Sequence, residues 1–410
     1  MNAQGADNRR SVHGQPDHSS AGRRTVESAV ARRFLAACEG VERGSLRIVA
    51  PDKQLYTFGD GGEPAAELQI NDWSAIAAFA ARGDIGLGEA YIDGLWDTPS
   101  IDKLTQLAFA NEDAFAGHLH GSFFNRTMFL LTDRLLRRNS RRGSARNIQA
   151  HYDVGNDFYR LWLDESLTYS SALFGGRQTS LEAAQTRKYQ RLLDRIKGAG
   201  ETVLEIGCGW GGFAEAAADE GRQVTGLTIS PSQHAFATER LAGKSADIRL
   251  CDYRDVRGKF DSIVSIEMIE AVGERYWPTY FSQIKNSLAE HGRAALQAII
   301  VEDDHFDGYR RRSDFIRYYT FPGGMLLSPG RIAAEAGRAK LVAENVFRFG
   351  HDYARTLREW VNRFDAAGPR IRELGYSEGF IRSWRFYLEI CAASFAAGRT
   401  DVVQVELRHA

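Results

Sequence analysis

Cysteine, long apolar runs and an excess of one charge are all scarce in this sequence. The 410 residues include four cysteines, too few and too scattered for a disulfide framework or a Cys-x-x-Cys metal site. No run of about 18 apolar residues is present, which argues against a membrane-spanning helix. The formal net charge of −1 gives no global reason to expect nucleic acid. We therefore expect a cytoplasmic protein without a metal or a nucleic-acid partner.

Changes in amino-acid composition along the chain predict four segments. Residues 1–24 are polar, lack the apolar core of a signal peptide and predict a disordered tail. Residues 25–120 predict a small mixed α+β domain, with strands over 45–49 and 54–58 and a helix capped by Asn71 or Asp72. Residues 121–148 form a basic stretch, and residues 149–410 form the largest segment.

The basic stretch has apolar residues at three- and four-residue steps, followed by arginines without an acid among them. Such a pattern is typical of a helix that lies on an anionic membrane surface. A linker helix that packs its apolar face on the large domain explains the pattern equally well, and both can hold. The sequence leaves the two alternatives open.

Strand and helix patterns alternate in the large segment. The predicted strands cover residues 202–206, 224–227, 248–250, 262–266 and 294–300. This alternation predicts a doubly wound, Rossmann-like parallel sheet, and ligands of such sheets bind at the carboxyl ends of the strands. The small α+β domain would precede it in the chain.

A glycine-dense turn at residues 207–212 follows the first of these strands and leads into a helical pattern. Its spacing fits Gly-x-Gly-x-x-Gly, which makes a dinucleotide site the first alternative. Such sites carry an acid at the end of the second strand, where this chain reads Thr228-Ile229-Ser230. The acid stands in the first strand instead, as Glu205, and this arrangement resembles the first motif of S-adenosylmethionine-dependent methyltransferases.

The combined motifs resemble the cyclopropane fatty acid synthase family, which includes mycolic acid cyclopropane synthases. The resemblance is carried by residues 151–159, 167–174, 204–211, 226–233, 321–324, 351–357 and 387–392, and by residues 88–97 of the small domain. It implies a methyl transfer from S-adenosylmethionine to a cis double bond of a phospholipid acyl chain. The chain becomes a carbocation, and a bound bicarbonate ion removes a proton so that a cyclopropane ring closes. The site must exclude water, which would trap the cation.

The resemblance also implies which residues contact the cofactor S-adenosylmethionine. It assigns the tyrosine–serine pair, the first strand and its turn, and the ends of the next two strands. These residues are Tyr169, Ser170, Glu205, Gly207, Gly209, Trp210, Gly211, Thr228, Gln233, Asp252 and Tyr253.

The same resemblance implies the residues that surround the reacting carbons. Cys208, Glu270, Tyr353 and the backbone of Ile299 match positions that hold bicarbonate, and Cys391 matches an active-site cysteine that is not required as a nucleophile. Each has a plain alternative: Cys208 as a small buried residue, Glu270 as a helix cap, and Tyr353 as a packed aromatic. The carboxylate of Glu270 lies in a mostly apolar run, which favours a functional role. Aromatic residues are candidates for lining an acyl tunnel: Phe174, Tyr318, Tyr319, Phe321 and Trp360.

Two positions depart from the family pattern. Ala271 stands where many cyclopropane synthases have a histidine, and Gln297 replaces a histidine that holds bicarbonate. Glutamine donates a hydrogen bond to an anion but cannot become cationic. Relatives with these residues include cyclopropane synthases and enzymes that make methylene- or methyl-branched fatty acids, so the resemblance leaves the product open.

The resemblance implies membrane phospholipids as partners, a homodimer formed through the small domain, and a peripheral position on the inner membrane surface. Two other functions compete with it. A methyltransferase for nitrogen or oxygen of a small molecule would need a base beside a polar acceptor. A membrane-binding scaffold with a relic cofactor fold would have lost motif residues, whereas Glu205, Glu270, Tyr353 and Cys391 are all present.

Overall fold

The computed structural model describes residues 29–119, 154–312 and 314–410. The predicted tail (1–24) and the predicted basic stretch (121–148) lie outside these described residues. The described residues form two sheets, one of four strands and one of seven.

The small domain contains the four-stranded sheet, ordered β2-β1-β3-β4. The predicted pair of strands is confirmed as β1 (Ser45–Val49) and β2 (Leu55–Gly59). The sequence did not predict β3 (Ala65–Ile70), which pairs parallel with β1, or the short β4 (Trp96–Asp97). Its helices are α1 (29–38), α2 (Ser74–Arg82), α3 (Asp84–Ile92), α4 (Ile101–Ala110) and α5 (Glu112–Leu119). The Asp72 carboxylate accepts a hydrogen bond from the Ser74 backbone N–H (2.8 Å) and so fixes the turn into α2, although Trp73 occupies the cap position itself.

The large sheet has the order β10-β11-β9-β8-β5-β6-β7. The five predicted strands are confirmed and mutually parallel: β5 (Thr202–Ile206), β6 (Gln223–Thr228), β7 (Ala246–Leu250), β8 (Phe260–Ile266) and β9 (Leu288–Ile300). The predicted doubly wound sheet is confirmed, and one edge adds two strands that the sequence analysis did not predict. There β11 (Asp401–His409) runs antiparallel to both β9 and β10 (Leu341–Arg348).

Helices cover both faces of the large sheet. They are α6 (Asn156–Arg160), α7 (Leu181–Arg195), α8 (Gly212–Asp219), α9 (Pro231–Arg240), α10 (Trp277–Ser287), α11 (Asp303–Arg311), α12 (Pro329–Arg338), α13 (Gly350–Ala366), α14 (Gly368–Glu373) and α15 (Glu378–Ala396). Several begin at a serine whose side chain accepts a backbone N–H of the first turn, among them Ser180, Ser230 and Ser377. These caps fix where each helix leaves the edge of the sheet.

The two domains pack through α15, which lies against the small domain. The Arg382 guanidinium donates to the backbone oxygens of Tyr91 (2.5 Å) and Trp96 (3.0 Å). Gly88 allows α3 to contact the Phe315 ring closely, because a β-carbon at position 88 would lie 2.5 Å from that ring. One buried apolar cluster therefore includes residues of both domains.

Candidate active site

One cavity of about 1020 Å³ extends from the carboxyl ends of β5, β6 and β8 into the small domain. This volume is at the upper end of the range for small-molecule pockets. The predicted site residues that line it are Tyr169, Ser170, Glu205, Gly207, Cys208, Gly209, Trp210, Thr228, Gln233, Asp252, Tyr253, Glu270, Ile299, Tyr353 and Cys391. Two predicted residues, Gly211 and Gln297, do not line it.

The glycine turn forms one wall of the cavity. Gly207 and Cys208 donate their backbone N–H groups to the Leu227 oxygen (3.0 and 2.8 Å), which fixes the turn against β6. Gly207 has φ +83°, and a β-carbon on it would lie 2.7 Å from Met268 Cγ. Gly209 has φ +53°, but a β-carbon there would meet no protein atom within 4 Å. The open side of Gly209 thus leaves room for a ligand to approach the backbone closely.

Gly211 plays a different part from the one predicted. It is the left-handed residue (φ +85°) that begins α8, and a β-carbon on it would press on Ala237 and Leu241 at 3.2 Å. Gly211 therefore packs against Ala237 of α9 and against Leu241, which follows α9, and this packing leaves no room for a larger residue at position 211.

The ends of the second and third strands supply the polar residues predicted beside the ribose and the adenine. The Thr228 hydroxyl donates to Gln233 Oε1 (2.9 Å), and both side chains are buried. Asp252 pairs with the Arg254 guanidinium (2.5 Å) and holds the turn that presents Tyr253. The Tyr253 hydroxyl has no hydrogen-bond partner among the described residues, and burial raises its pKa to about 12. Its orphaned hydroxyl at the cavity wall fits a polar ligand.

Lys188 contacts Ser170, which lines the cavity, and was not predicted. It is fully buried in α7, and its ammonium donates to the Ser170 hydroxyl (2.7 Å). Burial lowers the pKa of Lys188 to about 7, against the charges of Glu267, Asp164 and Glu205. The helical spacing gave a signal, because Lys188 shares the buried face of α7 with Leu181 and Ala184.

Glu205 is buried at 2% exposure in the centre of β5. Burial raises its pKa to about 8, opposed by the charge of Lys188 and a backbone hydrogen bond from Ala214. None of the described residues donates to Glu205 Oε2. This acceptor faces the same cavity wall as the glycine turn, so it suits a donor on a bound ligand.

Glu267, which was not among the predicted site residues, lines the cavity together with Tyr353. Its Oε1 accepts hydrogen bonds from the Ser171 backbone N–H (2.9 Å) and from Gln297 Nε2 (2.8 Å). Its Oε2 accepts from the Tyr353 hydroxyl (2.8 Å). Burial raises the pKa of Glu267, opposed by these hydrogen bonds and by the charge of Lys188. The apolar run that drew attention to Glu270 contains this second acid as well.

The geometry corrects the part expected of Gln297. Its side chain is 1% exposed and lies between Glu267 and Gln404, whose Nε2 donates to Gln297 Oε1 (3.0 Å). Gln297 therefore holds a carboxylate of the protein and has no face on the cavity.

Glu270 lies three residues beyond Glu267. Its Oε1 accepts from the Ile299 backbone N–H (2.5 Å), while none of the described residues donates to Oε2. Burial and the nearby charge of Glu267 raise the pKa of Glu270 to about 8. At neutral pH the carboxyl group is therefore mostly protonated and able to donate a hydrogen bond into the cavity.

The two cysteines of the cavity remain thiols. Burial raises the pKa of Cys208 well above its ordinary value, and desolvation also raises the pKa of Cys391. A protonated thiol is a poor nucleophile, which agrees with chemistry that needs no covalent enzyme intermediate.

Aromatic and apolar side chains complete the cavity. The Tyr169 hydroxyl donates to the Tyr387 hydroxyl (3.0 Å), and the Phe321 ring packs edge-on against Tyr387 at 5.9 Å. Of the predicted tunnel aromatics, Phe321 lines the cavity, whereas Phe174, Tyr318, Tyr319 and Trp360 do not. The small domain contributes apolar residues that the sequence did not single out, including Leu46, Leu68, Trp96 and Leu104.

The described residues contain no helix long and apolar enough to cross a membrane. One half of the cavity is polar around the glycine turn, and the other half is lined by aliphatic and aromatic side chains.

Comparison with known proteins gives consistent matches. The sequence profile of the mycolic acid cyclopropane synthetase family matches residues 139–405. The tuberculostearic acid methyltransferase UfaA1 of Mycobacterium tuberculosis is 37% identical over 88% of this chain and 86% of its own. The cyclopropane-fatty-acyl-phospholipid synthase of Escherichia coli is 34% identical over 84% of this chain and 88% of its own. The crystal structure of mycolic acid cyclopropane synthase CmaA1 with SAH and CTAB superposes with a TM-score of 0.60 at 30% identity, covering 64% of this chain and 97% of that one.

Proposed function

Because the chain belongs to the mycolic acid cyclopropane synthetase family and is an S-adenosylmethionine-dependent methyltransferase, we propose that it methylates a cis double bond in an unsaturated acyl chain of a membrane phospholipid. The proposed product is a cyclopropane fatty acid. The observation that carries this proposal is the continuous cavity that joins the glycine turn to an apolar chamber in the small domain.

The residues around the glycine turn fit S-adenosylmethionine. Gly209 leaves the backbone open, Glu205 offers an unpaired carboxylate oxygen, and Tyr253 offers an unpaired hydroxyl among the described residues. When bound there, the cofactor supplies an electrophilic methyl group on a sulfonium cation. The sulfonium charge would favour the ionised form of the Glu205 carboxyl group, as the charge of Lys188 does.

The other half of the cavity fits the acyl chain. Leu46, Leu68, Leu104 and Trp96 provide the apolar surface that a hydrocarbon tail requires. Tyr169 and Tyr387 also line the cavity and are joined through their hydroxyl groups. Their rings present negative π-faces, which stabilise positive charge that develops on the chain during methyl transfer.

A carbocation survives in the site only if neither a side chain nor water attacks it. Glu270 and Cys391 remain protonated because burial raises the pKa of each, so neither attacks a carbocation. Helix α15 packs on the small domain, and one buried apolar cluster includes residues of both. Excluding water prevents the cation from being trapped as an alcohol.

A second product is favoured by one specific observation. The relative UfaA1, 37% identical to this chain, is named a tuberculostearic acid methyltransferase. The same first step, followed by a hydride shift along the chain and proton loss from the added methyl group, gives a methylene-branched fatty acid. Proton loss from a chain carbon gives a methyl-branched alkene, and a saturated methyl branch requires a separate hydride donor. The position of Glu267 next to Ser171, beside the predicted cofactor contact Ser170, supports removal of a proton from the new methyl group, a step that ring closure and methylene formation share.

The proposal also retains the predicted membrane partners. A phospholipid substrate requires access to the bilayer surface, and we propose that the basic stretch (121–148) provides it by binding anionic lipid. The homodimer through the small domain and the peripheral position on the inner membrane remain predictions.

A labelled-methyl experiment tests the function. Purified protein is incubated with S-adenosylmethionine carrying a fully deuterated methyl group and with vesicles of monounsaturated phospholipid, and the lipids are analysed by mass spectrometry. We expect a saturated product that retains two deuterons, because the third leaves as the ring closes. Two deuterons on a methylene group of an unsaturated chain, or three deuterons on a methyl branch, would show that the second product forms instead of the ring. Matched vesicles of saturated phospholipid should take up no label, and no label in either lipid would contradict the proposed function.

A further inference from the structure

The carboxylate of Glu267 occupies the centre of the group of residues expected to hold bicarbonate. Its two oxygens accept hydrogen bonds from three donors: the Ser171 backbone, Gln297 and Tyr353, at 2.8 to 2.9 Å. Gln297 and Tyr353 are two of the residues that were expected to bind the ion. The protein therefore already places a carboxylate between these two side chains.

The remaining expected ligands are also engaged. The Ile299 backbone N–H donates to Glu270 Oε1 at 2.5 Å, and the Cys208 thiol is directed at the Gly209 oxygen (3.9 Å). A bicarbonate ion would thus compete with two carboxyl groups for the same donors. It would also bring a further negative charge beside Glu267, which is unfavourable in a buried site. The residues present do not fit bicarbonate.

We propose that the Glu267 carboxylate is itself the proton acceptor of the reaction and takes the place of a bound bicarbonate ion. This inference rests on the proposed methyl transfer to an unsaturated acyl chain. It makes Gln297, Tyr353 and Ser171 positioning residues that aim the carboxylate.

The proton transfer balances without any further reactant. Methyl transfer leaves a carbocation on the acyl chain. A C–H bond of the added methyl group then breaks, its electron pair forms the second C–C bond of the ring, and the proton goes to a Glu267 oxygen. Glu267 becomes a neutral carboxylic acid and releases the proton to water after the product leaves. One proton is produced per methyl group transferred.

Glu267 suits this part better than Glu270. The hydrogen bonds from three donors and the charge of Lys188 favour the ionised form of Glu267. Glu270 accepts one hydrogen bond and keeps its proton at neutral pH, since its pKa is raised to about 8. The pair divides into a base and a neutral acid, an arrangement that enzymes obtain by giving two carboxyl groups different surroundings.

The backbone at Glu267 also departs from ordinary geometry. Glu267 has φ +48°, a left-handed conformation that costs energy in a residue with a side chain. Its backbone N–H donates to the Gln297 oxygen (2.8 Å), which pins the strained residue at the end of β8 against β9. This conformation turns the side chain toward Tyr353 and the cavity.

Bicarbonate dependence of the wild-type protein is the first test. Initial rates of label transfer to phospholipid are measured in buffer freed of carbon dioxide and again with added bicarbonate. We expect equal rates, because the base is part of the chain. A rate that collapses without bicarbonate and recovers with it would overturn the inference while leaving the methyl transfer itself intact. Absence of transfer in both buffers would instead contradict the proposed function.

Substitution of the base is the second test. Glu267→Gln preserves shape and hydrogen-bonding capacity but cannot accept the proton, so we expect turnover to fall by about 10²- to 10⁴-fold. Binding of S-adenosylmethionine, measured by calorimetry, should remain within a few-fold of wild type and also reports that the variant is folded. Glu373→Gln, an exposed change on the same protein, is the matched control and should leave both quantities unchanged. Near-normal turnover of Glu267→Gln would overturn the inference.

A third test uses a double variant that should depend on added bicarbonate. Glu267→Gly combined with Gln297→His removes the internal carboxylate and supplies a donor that can become cationic. We expect this double variant to be inactive in buffer freed of carbon dioxide and to regain measurable turnover as bicarbonate is added, while the single variant Glu267→Gln gains nothing. Equal bicarbonate response of the double variant and of wild type would contradict the assignment of Glu267.

Discussion

Gly209→Ala should weaken the binding of S-adenosylmethionine by about 10- to 100-fold while the protein still folds. A β-carbon on Gly209 meets no protein atom within 4 Å, so it occupies space that only a ligand would fill. Losing one close backbone contact in a buried site costs about 1–3 kcal/mol, which corresponds to this change in affinity. The measurement is the Kd for S-adenosylmethionine by calorimetry.

Gly221→Ala is the control for the backbone cost. Gly221 has φ +83°, also has no protein atom within 4 Å of a β-carbon, and lies on the surface after α8. Each alanine should lower the free energy of unfolding by about 1–2 kcal/mol because of the positive φ. Only Gly209→Ala should change the Kd. Equal affinities for the two variants would mean that the cofactor does not pass over the glycine turn.

Lys188→Met should move the pH dependence of the reaction to higher pH and reduce turnover at neutral pH by about tenfold or more. The positive charge of Lys188 lowers the pKa values of Glu205 and Glu267 below those that burial alone would give. Removing it raises both pKa values, so a larger share of Glu267 holds a proton at pH 7 and cannot act as a base. A rise of about one unit in the pKa of a carboxyl group lowers its ionised fraction at a fixed pH by up to about tenfold, and a larger rise lowers it further.

The pH profile of kcat/KM separates this effect from a loss of folding. We expect the ascending limb of Lys188→Met to lie at higher pH than that of wild type, with turnover recovered in alkaline buffer. Lys197→Met, an exposed change just beyond α7, is the matched control and should leave the profile in place. A profile reduced in height but not displaced would show that Lys188 has no electrostatic influence on the base.

The local features of the large domain could be predicted because their signals are short-range. Strands β5 to β9 are apolar runs separated by helical patterns, and the glycine turn is a contiguous motif. The edge of the sheet could not be predicted in the same way. Strand β11 pairs with β9 across roughly a hundred residues, and no local pattern encodes its antiparallel direction.

The sequence predicted which residues line the site better than it predicted the contacts between them. Most of the predicted residues line the cavity. Glu267 and Lys188 were not predicted, because comparison with a family motif considers each position separately and does not show which side chains meet in the fold. Gln297 was noted as a departure, but its meaning depends on Glu267, thirty residues earlier in the chain and 2.8 Å away in the fold. The apolar chamber of the small domain depends on docking of α15, which the sequence does not encode locally.

The most direct test of the whole account is a crystal structure of the protein with S-adenosylhomocysteine and a long-chain quaternary ammonium detergent. The ammonium group mimics the carbocation and the alkyl chain mimics the lipid tail. We expect the nucleoside to lie over the glycine turn, the cation beside Glu267 and Tyr169, and the tail between Leu68 and Leu104 of the small domain. A detergent bound outside this cavity, or an anion held between Tyr353 and Gln297 with Glu267 turned away, would contradict it.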